Sequence, residues 1–198
     1  MNLKTLSKYA KDGPATLGRM AEPIQSYWDL IEPVWDKINI YDGEATFLAS
    51  IQPFPRPVVF LYAAHFCLSE IYNGGHLQFF WNNTGILCPE AIEGFDLIGM
   101  PQLASVIETA AAPLGSPYPR NREARWDKML NASGLEEKQF EEIFSKTPNL
   151  FLAYREATKS LEWDRLDKKL YQLAETENDG FQSAADRYAS RFAVIGNN

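Results

Sequence analysis

The sequence predicts an all-α protein, a single multi-helix bundle with short Pro/Gly-rich connections. Three observations carry this. No run shows sustained strand alternation. Apolar residues recur every three or four positions, and prolines and glycines punctuate the chain at helix-length intervals. With 198 residues, 45% of them hydrophobic and 13% aromatic, the chain can bury a core and does not read as disordered. The expected organisation is a looser N-terminal arm over 1–20 and one all-α domain over 21–198.

The elements follow in order. Ile24, Trp28, Ile31, Trp35 and Ile38 form an apolar stripe at spacings of 4, 3, 4 and 3. Pro23 suits a first helical turn, and Pro33 either kinks this helix or starts a second one. "PFPRP", Pro53 to Pro57, reads as an extended connector. Val58 to Tyr72 is apolar on nearly every face, which predicts the central helix. Asn73-Gly74-Gly75 caps it, and His76 to Trp81 forms a short aromatic helix or turn. Pro89 opens a helix with Ala91, Ile92, Phe95 and Ile98 inward, ended by Gly99. Pro101 opens another, running to about Leu114 before Gly115. "SPYPRNREARWDKML" leads into a basic helix. Two or three more helices follow, split by Ser133-Gly134, Pro148 and Asn178-Asp179-Gly180, the last beginning near Phe181.

Charge is unevenly spread. The net charge of −7 comprises +3 over Met1–Arg19, −9 over Met20–Pro119 and −1 thereafter. In the middle stretch eleven acids face only Lys37 and Arg56. On helical wheels Asp29, Glu32 and Asp36 fall opposite one apolar stripe, and Glu90, Glu93 and Asp96 fall opposite another. Like charges at that spacing gain nothing locally. They read either as a solvated face or as a phosphate-like array for a basic partner. A field of this sign repels nucleic acid, so direct binding is not expected. The basic cluster Arg120, Arg122, Arg125 and Lys128 is its one foothold.

The stretch "SEIYNGGHLQFFWNNTG", Ser69 to Gly85, concentrates glycines, amides and aromatic rings. One reading is a helix-to-helix corner: glycines turn the backbone, Phe79 and Phe80 fill the core, and amides satisfy orphan backbone groups. Glu70 is expected there to accept backbone N–H bonds. The alternative is a small-ligand or peptide pocket lined by Asn73, His76, Gln78, Trp81 and Asn82.

Glu70, Asn73-Gly74-Gly75, Gln78-Phe79-Phe80, Asn82 and Gly85 spell E-x-x-N-G-G-x-x-Q-F-F-x-N-x-x-G. This resembles the signature of a bacterial domain-of-unknown-function family named after the C-terminal domain of a DNA-mimic protein. "PYPRNREAR" and "ENDGF…AADRYA" extend the resemblance over roughly Ile40 to Ala189. His76 departs from it, standing where that family carries phenylalanine, and the polar ring is expected to be partly exposed. The resemblance implies an all-α fold, no catalytic residue, and a member that offers acidic surface in place of DNA phosphates.

No spacing here points to catalysis or a cofactor. His65 and Cys67 sit two apart on one helix, and His76 and Cys88 fall on separate segments. Cys67 reads as a small buried hydrophobe, and Gly74-Gly75 lacks the spacing of a dinucleotide loop. Two cysteines are too few for a disulfide framework, and the N-terminus has no apolar signal region, so a cytoplasmic protein with free thiols is expected. The expectation is thus a non-enzymatic acidic module, without cofactor, that binds a basic protein such as a DNA-binding regulator, with a monomer and a dimer both left open by the sequence.

Overall fold

The computed structural model describes residues 24–195, with side chains through Arg191, so the 1–20 arm lies outside the described residues. Among them are ten α-helices joined by short 3-10 turns, with no strand. They are α1 (Trp28–Ile31), α2 (Glu44–Ile51), α3 (Arg56–Trp81), α4 (Cys88–Leu97) and α5 (Pro101–Ala111). Then come α6 (Arg122–Ser133), α7 (Glu137–Lys146), α8 (Leu150–Ala157), α9 (Trp163–Thr176) and α10 (Phe181–Ile195).

Helix α3 is the axis. It packs against α4, α9, α6 and α1. Val58, Leu61, Ala63, Ala64, Cys67 and Ile71 are fully buried on it, as its continuous apolar run requires. Pro55 precedes it in extended conformation, and Pro57 sits in its first turn, where a missing N–H costs nothing. Pro33 opens a 3-10 turn, Glu32–Val34, directly after α1 rather than interrupting a long helix. Asn121 caps α6 by accepting the Ala124 N–H at 2.8 Å, and Asn149 caps α8 in the same way.

Helix α4 lies very close to α3. A Cβ at Gly94 would stand 2.3 Å from the Phe60 carbonyl oxygen. This contact rolls the neighbouring face of α4 inward, and Glu90, one turn before Gly94, goes with it. Glu90 is 8% exposed, which corrects its placement on the solvent face with Glu93 and Asp96. The break between α8 and α9 carries neither proline nor glycine. Glu162 turns the chain there at φ 54°.

Candidate functional site

The Ser69–Gly85 stretch forms a tight corner. Helix α3 is interrupted at Gly74 (φ −164°, ψ 22°) and Gly75 (φ 78°, ψ −179°) before resuming over His76–Trp81. Gly75 occupies backbone space essentially reserved for glycine. A Cβ there would also lie 2.4 Å from Oδ2 of Asp167.

Three polar knots hold the corner. In the first, Glu70 Oε2 accepts from Gln78 Nε2 at 2.8 Å and Asn82 Nδ2 at 2.9 Å, and Oε1 accepts from the Thr84 hydroxyl at 3.1 Å. The donors are side chains, not the backbone N–H groups expected, because the corner folds the amide side chains back over Glu70.

In the second, the His76 backbone N–H donates to Asp167 Oδ1 at 2.8 Å, and the His76 ring Nδ1 meets the same oxygen. A carboxylate only accepts, so Nδ1 is the donor in this bond. Nε2 is buried with no partner. His76 is 0% exposed, which corrects the expected partial exposure. The ring occupies a core position, as a phenylalanine would, and adds a bond to α9.

In the third knot, Arg125 is wholly buried and carries no carboxylate partner among the described residues. It donates to the carbonyls of Phe80 at 2.8 Å, Asn82 at 2.7 Å and Arg120 at 2.6 Å. Trp126 Nε1 donates to the Trp81 carbonyl at 3.0 Å. Two neighbouring residues of α6 thus satisfy the orphan carbonyls at the C-terminal end of α3, where the helix dipole also favours a cation. Burial pushes the Arg125 guanidinium below its usual pKa.

The five residues of the alternative pocket do not enclose one. Asn73 is exposed, His76 is internal, and Gln78 and Asn82 are engaged by Glu70. Trp81 stacks on Trp126 at 4.2 Å. A cavity of about 310 Å³ opens instead beside Gly74 and Leu77, between α8 and α9, and Asp167 lines it.

The acidic residues divide. Asp29 Oδ2 accepts the N–H groups of Gln25 and Ser26, which hold its carboxyl below the usual range. Glu32 and Asp36 are exposed and unpaired among the described residues. Glu90 is withdrawn: Arg120 grips it with two bonds of 2.7 and 2.8 Å. Glu93 and Asp96 remain exposed. Burial first, then repulsion from Glu93, Glu108 and Glu177, raises the Asp96 carboxyl. Glu177 also accepts the first-turn N–H groups of α5 from Gln102 and Leu103. Glu108 and Glu177 come from α5 and from the turn after α9, so only helix docking reveals that they join this acidic group.

The basic cluster is dispersed by the fold. Arg125 is internal, Arg120 is committed to Glu90, and Arg122 lies over the Trp126 ring at 4.8 Å. His65 bonds the Tyr27 hydroxyl at 2.9 Å among aromatic rings. Cys67 and Cys88 are buried, and burial pushes the Cys88 thiol up to about 12, so neither offers a thiolate. No group of three or more His, Cys, Asp or Glu side chains among the described residues is placed to hold a metal ion. No helix among them is long and apolar enough to cross a membrane.

No curated protein and no solved structure matches the chain. A family model described as DMP19-like protein matches residues 52–191, from the end of α2 into α10. That span contains the glycine corner and all three of its polar knots, and the chain belongs to the DMP19-like protein family.

Proposed function

We propose that the chain is a non-enzymatic acidic interaction protein that docks on a basic surface, such as the DNA-binding face of a regulator. The observation that carries the reading is the uncompensated acid group on α4 and α5. Glu93, Asp96 and Glu108 make no ion pair among the described residues, and burial, then repulsion from Glu93, Glu108 and Glu177, raises the Asp96 carboxyl. A native surface without interleaved cations is poised to gain from a partner's Lys and Arg. The resemblance to a family named after a DNA mimic supports the same reading. Glu32, in the 3-10 turn after α1, and Asp36, in the turn that follows it, are also exposed, while Glu90 is committed internally to Arg120.

The test is a pull-down from native lysate, eluted by a salt gradient, with wild type against an E93K/D96K/E108K variant and a D29K/E32K/D36K variant. A basic partner should elute from wild type at a defined salt concentration and be lost from at least the first variant. Unchanged capture by both variants refutes the acidic docking surface.

A further inference from the structure

The cavity between α8 and α9 has walls of opposite charge. Arg155, from the last turn of α8, lies on one side; Lys159 just beyond it is already paired at 2.6 Å with Glu156, which also lines the space, so Arg155 is the cation left unpaired on that wall among the described residues. Asp164 and Asp167, three residues apart on α9, lie on the other. Leu77 and the buried Trp163 supply apolar lining. Arg155 forms no ion pair among the described residues, although both aspartates line the same space. The opposite charges therefore face each other across a gap rather than closing on one another.

Asp167 is pre-set for this role. Its Oδ1 is held by the His76 backbone and ring, which fixes the carboxylate. Its Oδ2 accepts no hydrogen bond among the described residues. Gly75 leaves space beside that oxygen where any side chain would collide with it. A carboxylate immobilised through one oxygen offers the other at low entropic cost.

We infer that this cavity binds a zwitterion, an α-amino acid with an apolar side chain. The ammonium group sits against Asp164 and Asp167 Oδ2, the carboxylate against Arg155, and the side chain along Leu77 and Trp163. A lone anion would meet the aspartates and a lone cation would meet Arg155, so a ligand of a single sign is disfavoured on one wall. The volume of about 310 Å³ is that of a small-molecule site. The inference is independent of the acidic docking surface, which lies on other helices.

The experiment is an amide NMR titration of the full chain with L-leucine, L-phenylalanine and L-tryptophan into the millimolar range. N-acetylated and C-amidated forms of each serve as controls. Asp164 and Arg155 are exposed and in no ion pair among the described residues, so R155Q and D164N keep the fold. At least one amino acid should give saturable shifts at Arg155, Lys159 and Asp164. Each variant, and blocking of either ligand end, should weaken binding at least roughly tenfold, since each removes one charged contact. Absence of saturable shifts with all three overturns the inference. So does equal affinity for the blocked forms or for both variants.

Discussion

Replacing Arg125 by methionine tests how the corner is held. The substitution keeps the length of the side chain and removes its charge and every donor. Three bonds to backbone carbonyls are lost, at 2.6, 2.7 and 2.8 Å. Hydrogen bonds from a charged group contribute roughly 1.5–3 kcal/mol each, a gross loss of about 4.5–9 kcal/mol. Burial of the guanidinium opposes this, as its lowered pKa indicates, and such desolvation is worth several kcal/mol. The expected net loss is about 3–5 kcal/mol, with the Phe80 and Asn82 carbonyls left without a donor. For a chain of this size each kcal/mol moves Tm by roughly 2–4 °C, so Tm should fall by about 6–20 °C. Urea unfolding followed by circular dichroism at several pH values is the assay. Arginine stays cationic across that range, so the loss should be independent of pH. R125K should recover only part of it, because an ammonium cannot fork to three carbonyls. A loss below about 1 kcal/mol for R125M would refute the capping argument.

Other outcomes follow from the same geometry. G75A forces a Cβ 2.4 Å from Asp167 Oδ2 at φ 78°, and it should cost about 2–4 kcal/mol in urea unfolding, whereas G115A, where no atom lies within 4 Å, should cost only its backbone strain of about 1–2 kcal/mol. H76F gives up the ring bond to Asp167 but also removes the unpartnered Nε2, so its unfolding free energy should stay within about 1 kcal/mol of wild type. A larger drop would show that the His76–Asp167 bond, not ring packing, fixes the corner. D96N should raise the unfolding midpoint at pH 7 in low salt. The folded carboxyl is raised, so ionising it above that pKa destabilises the fold, and the gain should vanish as pH falls below the carboxylate range and shrink with added salt. A gain that persists at low pH would mean that asparagine acts through packing rather than charge.

Much of this protein is legible from its sequence. Period-3.6 stripes, the greasy run through Val58–Tyr72, and Pro, Gly and Asn punctuation determine the all-α class and most helix boundaries, because these signals act within one or two turns of the residue that carries them. The Asn73-Gly74-Gly75 corner is equally local, since Gly75 needs backbone angles that only glycine adopts readily. Where the fold brings together distant residues, the sequence is silent. Glu90 has the spacing of a solvent-facing acid, yet the close α3–α4 contact at Gly94 turns it onto Arg120. Arg125 belongs to a basic helix on paper and becomes the buried cap of a helix some 45 residues away in sequence. His76 looks like a polar intrusion and is a core ring, because α9 brings Asp167 to its Nδ1. The Glu93–Asp96–Glu108–Glu177 group and the cavity between α8 and α9 are assembled from separate helices in the same way. Local propensity and periodicity report which face of a helix is apolar. Which neighbour covers that face, and which charges end up opposite one another, is settled only by how the helices dock.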